Sequence, residues 1–210
     1  MNPYVIALAH QKGGVGKSTL ASSMVLELEK KGTVTVIDLD ERQRSISYFL
    51  EKKPESHNIK YIIVSDREKL VSAYENVNTD YIVIDCGGVD SDVNRIALVL
   101  ADLVIVPVKP NDIELAGLIV FEENIHKIEK EFEDKIENIY IVANRVHPRK
   151  KDNAPEILGI DEYIQSSNTY KRFSTIIHNR VEYENAFNEG RIAKHEEFKS
   201  LIKEIYNVRR

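Results

Sequence analysis

His10-Gln11-Lys12-Gly13-Gly14-Val15-Gly16-Lys17-Ser18-Thr19 decides how this 210-residue chain is read. Gly16, Lys17 and Ser18 fit the phosphate-loop pattern G-x-x-x-x-G-K-[ST], but Gln11 stands where its first glycine belongs. A glycine pair, Gly13-Gly14, and a second lysine, Lys12, lie inside the loop. Upstream, the apolar run Tyr4-Val5-Ile6-Ala7-Leu8-Ala9 predicts a buried strand. Downstream, Leu20, Met24, Val25 and Leu28 predict one face of a helix over residues 20–30. A strand, a glycine-rich turn and a helix start direct backbone N–H groups and the positive end of the helix dipole at one point. Such a point suits phosphate: Lys17 reaches β- and γ-phosphate oxygens, and the Ser18 hydroxyl can ligate Mg²⁺. One lysine is enough for a nucleotide, so Lys12 needs an explanation of its own.

Outward from the loop, apolar runs recur at residues 34–37, 61–64, 81–84, 103–106 and 139–142. They are continuous rather than alternating, as in parallel strands covered on both faces. Helical stretches are expected between them, at 66–76, 91–101 and 113–132. This predicts an α/β fold: a mostly parallel, doubly wound sheet with helices on both faces and ligands at the carboxyl ends of its strands. One domain spanning 1–210 is the expectation. Residues 145–155 are the clearest loop, and a basic one.

Two strands end in acids: Asp38-Leu39-Asp40 and Asp85-Cys86-Gly87-Gly88. Beside a phosphate loop, such carboxylates can hold Mg²⁺ or its waters, so Asp40 and Asp85 join Ser18 as candidate metal residues. Asp40 is also placed to orient or deprotonate an attacking water, whereas Asp38 is expected to be structural. Gly87-Gly88 suits a mobile loop that senses hydrolysis, or a plain turn. Cys86 is read as a small buried residue and His10 as packing.

Hydrophobic residues make up 42% and charged residues 30% of the chain, as in ordinary globular proteins. No apolar run is long enough to span a bilayer, and the single cysteine excludes a disulfide or CxxC site and suggests a reducing cytoplasm. Net charge is −5, but it is uneven. Residues 1–144 carry 16 Lys/Arg against 24 Asp/Glu, and residues 145–210 carry 13 against 10, which allows a basic face in the last third.

The loop Lys12-Gly13-Gly14-Val15-Gly16-Lys17-Ser18-Thr19 resembles the deviant phosphate loop of the ParA/MinD ATPases. Asp38-Leu39-Asp40 and Asp85 fall where that family has its second and third acidic motifs. Pro107-Val108-Lys109-Pro110 resembles its proline-containing loop, and Val142-Ala143-Asn144-Arg145 the strand ending in an adenine-contacting asparagine. Phe173-Ser174-Thr175-Ile176-Ile177, residues 183–190 and the final helix resemble the end of small ParA partition ATPases. The chain departs from the family at Glu41-Arg42-Gln43, where many members have Pro-Gln, and at Gly87-Gly88, where many have prolines.

The resemblance implies ATP and Mg²⁺ as cofactors. Nucleotide would be bound by Lys12, Gly13, Gly14, Val15, Gly16, Lys17, Ser18, Thr19, Asn144 and Arg145, and hydrolysed with Lys12, Lys17 and Asp40. It also implies that Lys12 reaches the nucleotide of a second protomer, so that two ATP molecules are sandwiched in a homodimer. The added cation would act on the γ-phosphate as an arginine finger does in trans. The function implied is a DNA-partition ATPase, cytoplasmic and nucleoid-associated. Its ATP dimer would bind DNA without sequence preference, and a centromere-binding, ParB-class protein would stimulate hydrolysis. Candidate DNA contacts are Arg149, Lys150, Lys151, Lys171, Arg172, Arg191, Lys194, Lys199 and Lys203.

Metal-cluster members of the family need more cysteines, and its tyrosine kinases end in a tyrosine cluster, where only Tyr206 lies in the last ten residues here. With the loop strand so near residue 1, no N-terminal helix-turn-helix domain is expected. The alternative is a MinD-like membrane-positioning ATPase, which carries a C-terminal amphipathic helix. The final helix here has the stripe Phe198, Leu201, Ile202, Ile205 and Tyr206, yet Glu196, Glu197 and Glu204 oppose an anionic bilayer, so packing on the core is expected. A small-molecule ligase on the same fold is a third reading.

Overall fold

The computed structural model describes residues 2–53, 56–88 and 90–209. Seven strands form one sheet in the order β3-β2-β4-β1-β5-β6-β7, and every neighbouring pair is parallel. They are β1 Tyr4–Leu8, β2 Val34–Asp38, β3 Ile59–Ile63, β4 Tyr81–Asp85, β5 Leu103–Val108, β6 Ile139–Val146 and β7 Tyr170–His178. The helices are α1 Lys17–Leu28, α2 Ser45–Lys52, α3 Arg67–Asn76, α4 Asp92–Leu100, α5 Asp112–Phe132, α6 Pro155–Ser166, α7 Val181–Asn188 and α8 Glu197–Val208.

The continuous apolar runs arise because each strand feeds two cores. Ile6 and Leu8 of β1 and Val83 of β4 face a cluster with Met24 and Val25 of α1, Phe49 of α2 and Phe198 and Leu201 of α8. Val5, Ala7, Ile82 and Ile84 face the other side, against Leu70 of α3, Ile96 of α4 and Leu118 and Ile125 of α5. The apolar stripe of α8 is therefore spent on the first core: Phe198, Leu201, Ile202 and Ile205 are buried, and the Tyr206 hydroxyl lies 2.9 Å from that of Tyr81. The acids of that helix are tethers. Glu204 accepts from the backbone N–H groups of Ser174 and Thr175 at 2.7 and 2.8 Å, and Glu197 accepts from Arg180 at 2.9 Å. Among the described residues, no helix is long and apolar enough to cross a membrane.

Three strand boundaries differ from expectation. The edge strand β3 begins at Ile59, two residues early, because its register follows β2 from Val34 to Asp38. Exposed Lys60 and Tyr61 are tolerated on that outer strand. Pro107 and Val108 belong to β5 rather than to a loop. β1 pairs with β5 only as far as Ile105, so Pro107 lies where the sheet is bordered on one side only. Likewise β6 continues past Asn144 to Val146, with irregular register against β7 and Arg145 at φ +54°. Such a bulge re-aims side chains at a strand end, here towards the phosphate loop.

Register brings the acidic motifs together. Leu8 is level with Asp85, and Asp85 with Asp38. The loop after β1 and both acids thus sit at adjacent carboxyl ends, where open α/β sheets bind ligands.

Candidate nucleotide-binding site

The loop closes over the start of α1. Gly14 and Gly16 have φ of +78° and +94°, a left-handed backbone that glycine adopts without strain. Gly16 is needed twice over, since a Cβ there would stand 2.6 Å from Asn144 Nδ2. Helices α3, α4 and α5 are capped by Asp66, Ser91 and Asn111, each accepting from a backbone N–H. α1 has no side-chain cap and no acid in its first turn. Its positive end is left to an outside anion.

The two lysines go to different places. Lys17 is buried, and its ammonium donates to Lys12 O at 3.2 Å and His10 O at 3.5 Å, inside the loop. Burial lowers its pKa, while Asp85, Cys86 and Asp40 act to raise it. Lys12 extends away, and its ammonium donates to Ile113 O in the first turn of α5 at 2.6 Å.

The acids also divide. Asp38 is fully buried and accepts from the backbone N–H of Asp40 at 3.0 Å and from the backbone N–H and hydroxyl of Ser47 at 3.3 and 2.7 Å. It pins the turn carrying Asp40 to α2, and burial raises its pKa despite those donors. The Asp40 carboxylate accepts from Gln43 N at 3.0 Å and is only partly buried. Asp85 is pushed up to about 7 by burial, with the Ser18 hydroxyl and Lys17 pulling the other way and Asp38 and Asp40 adding to the rise. Its Oδ1 is buried without a hydrogen-bond partner. An orphaned carboxylate oxygen next to the Ser18 hydroxyl is a donor set that fits Mg²⁺ arriving with a nucleotide. Among the described residues no cluster of three or more His, Cys, Asp or Glu could hold a metal without one.

Asn144 and Arg145 brace the loop from β6. The Asn144 amide donates to Val15 O at 2.8 Å and the Arg145 guanidinium to Gly14 O at 2.6 Å. A small cleft opens beside them, lined also by Thr19, Ile177, Asn179 and Tyr183. Asn179 carries no local motif and lines the cleft because it directly follows β7, three strands from β1 in the sheet.

His10 is buried and stacks on Phe121, with ring centroids 6.4 Å apart. Its Nδ1 accepts from Lys12 N at 3.0 Å, which leaves the proton of the neutral ring on Nε2. Burial, then Lys17 and Lys12, pull its pKa down to about 4. Between about pH 6.5 and 4 the unfolded chain takes up a proton that the folded chain refuses, so stability falls as pH falls. From pH 7 to 4.5 the wild type is expected to lose about 2–3 kcal/mol more than His10→Asn in urea unfolding. Equal losses would refute this assignment.

The candidate DNA contacts differ in their surroundings. Lys150 pairs with Glu156 at 2.8 Å, Arg172 with Asp161 at 2.6 Å and Lys199 with Glu196 at 2.7 Å. Arg191 pairs with Glu182 at 2.7 Å and also with Glu189. Lys171 lies over the Tyr140 ring, 5.5 Å from its centroid, at the amino end of β7. That is about 20 Å, a strand length, from the loop after β6 that carries Arg149 and Lys151. Arg149, Lys151, Lys194 and Lys203 are exposed and engaged in no ion pair among the described residues.

Comparison with known proteins gives the family and the fold. Residues 6–193 match the family model described as the CobQ/CobB/MinD/ParA nucleotide binding domain. "Protein ParA" of Rhizobium radiobacter is 31% identical over 113 residues, 52% of this chain and 50% of that protein. The chain thus spans about half the length of the curated relatives it first matches. Among solved structures, the ATP complex of a Cyanothece McdA variant has a TM-score of 0.76 at 17% identity, covering 99% of this chain and 95% of that one. A plasmid partition protein from Borrelia burgdorferi has a TM-score of 0.69 at 22% identity, covering 99% of each. At such identities these structures establish the fold. With a matching family model over most of its length and the phosphate loop at its centre, the chain belongs to the CobQ/CobB/MinD/ParA nucleotide-binding domain family.

Proposed function

We propose that this chain is a DNA-partition ATPase in which ATP joins two protomers and the joined form binds DNA without sequence preference. The observation that carries the reading is the separation of the lysines: Lys17 fills its own loop, while the Lys12 ammonium stands outside it. A lysine outside its own phosphate site is available to the site of a second copy. The similarity to a protein named ParA and to a plasmid partition protein supports the same direction.

The chemistry is hydrolysis of ATP to ADP and phosphate. The Gly13–Gly16 backbone and the free start of α1 hold the phosphates, and Lys17 offsets the charge of their β- and γ-oxygens. Ser18, Asp40 and Asp85 are the residues that would hold Mg²⁺, which would supply further neutralisation of phosphate charge. Asp40 orients a water for in-line attack and accepts its proton. Asn144 and Arg145 fix the loop beside the base cleft. Lys12 of the second protomer stabilises charge on the transferred phosphoryl group, so hydrolysis weakens the dimer. Arg149, Lys151, Lys194 and Lys203 are the cations most available to DNA, and doubling them in a dimer multiplies phosphate contacts. A centromere-binding protein would stimulate turnover at the nucleoid.

The buried stripe of α8 favours DNA over a membrane as the second ligand. Co-sedimentation with random duplex DNA or anionic vesicles, each with ATP or ADP at low salt, tests this. An ATP-dependent gain on DNA alone is expected. A gain on vesicles alone would install the MinD-like alternative, and no gain on DNA would remove the partition reading.

A further inference from the structure

Lys12 does more than leave its loop, because it lies in a seat built by α5. Its ammonium donates to Ile113 O at 2.6 Å and stands 3.7 Å from Glu114 Oε1. Its stem crosses Gly117, where an added Cβ would come within 3.3 Å of Lys12 Cε and 3.4 Å of Nζ. Positions 113, 114 and 117 are neighbours on one helical surface. Together they supply a carbonyl acceptor, a carboxylate and a gap the width of a side chain. Gly117 is otherwise unexplained, since a glycine inside a helix is unfavourable relative to alanine.

The seat is also tied to the strand that leads into the loop. Glu114 Oε2 and His10 Nε2 are both buried without a hydrogen-bond partner and lie 3.7 Å apart. The proton-bearing Nε2 thus faces a carboxylate oxygen just beyond bonding distance. Glu114 is divided between His10 and Lys12, and a small shift of α5 would complete one contact and loosen the other. Asn111 Oδ1 accepts from Glu114 N at 3.0 Å, so the backbone here is held by its own cap and not by the lysine.

We propose that Ile113, Glu114 and Gly117 form an intramolecular berth that holds Lys12 within its own protomer, with Glu114 as its positioning residue. A dimer must then take the lysine out of this berth, so the berth sets how readily dimers form. That control of assembly rests on the assignment of Lys12 to a neighbouring protomer, whereas the berth itself does not.

Two variants separate the cases. Gly117→Ala fills the seat with the better helix former, and the flexible lysine, not the helix, gives way. Glu114→Gln removes the carboxylate charge and keeps the backbone cap. Acylation of Lys12 by a soluble N-hydroxysuccinimide ester, followed by mass spectrometry in the nucleotide-free protein, reads the berth directly. The rate at Lys12 is expected to rise about tenfold in Gly117→Ala, as a charge-assisted hydrogen bond is lost, and less in Glu114→Gln. Sedimentation with a non-hydrolysable ATP analogue should show both variants dimerising at several-fold lower protein concentration than the wild type. Unchanged acylation in both variants overturns the berth. Faster acylation with an unchanged dimerisation threshold overturns its control of assembly. A Lys12→Ala protein that dimerises like the wild type overturns the assignment of Lys12 to the second protomer and leaves the acylation result standing.

Discussion

Lys17→Ala is expected to weaken binding of Mg-ATP by roughly 100- to 1000-fold and to abolish measurable phosphate release. The magnitude follows from burial. The Lys17 ammonium is held by the carbonyls of Lys12 and His10, with Asp85, Cys86 and Asp40 nearby, in a site largely closed to solvent. Phosphate oxygens entering there meet a cation whose charge water does not screen, so its loss cannot be replaced by solvent. The fold should survive the change. Asp85, already pushed up to about 7, takes a proton once the lysine charge is gone and avoids becoming a lone buried anion. Titration calorimetry with Mg-ATP and a thermal melt check both halves. ATP binding within a few-fold of the wild type, in a protein that melts normally, would remove Lys17 from the site.

Asp40→Ala is expected to slow hydrolysis by roughly 10²–10⁴-fold, the range for losing a general base, while the ATP dimer persists. The carboxylate accepts from Gln43 N, so alanine also removes a turn contact. Asp40→Asn separates the two effects, because its amide oxygen can still accept from Gln43 N but cannot take a proton from water. Both variants should be slow and both should dimerise with ATP. If Asp40→Asn hydrolyses ATP normally, Asp40 is a turn residue only. If either variant fails to dimerise, the loop it supports belongs to the interface and its assignment as base is wrong.

Much of the fold was legible because local physics writes it into local sequence. A strand covered on both faces must be apolar throughout, and so residues 81–84 and 103–106 announce β4 and β5. Asp66, Ser91 and Asn111 mark helix starts because each side chain accepts from a backbone N–H three residues on. Where such devices are missing the elements are illegible. α2 starts after Arg44, which has φ +49° and no capping side chain, and α6 starts at Pro155 with no capping side chain on Ala154. Asp38 is readable as structural because it ends a buried strand. What it bonds to, Ser47 on α2, lies nine residues on in an unannounced helix.

By itself the sequence determined the phosphate loop, the parallel α/β class and the acids at the tips of β2 and β4. In each case the physical requirement, whether glycine for close backbone approach or apolar residues for two-sided burial, lies within a few consecutive positions. Only the tertiary structure decided which distant groups those residues meet. Asn144 reaches Val15 across 129 residues and Lys12 reaches Ile113 across 101, because the sheet order sets β5 beside β1 and β6 beside β5. It likewise turned the α8 stripe inward and neutralised Arg172 and Arg191 with acids. Those outcomes depend on which surfaces the fold brings into contact, and a residue's type and neighbours in the chain do not encode that distance.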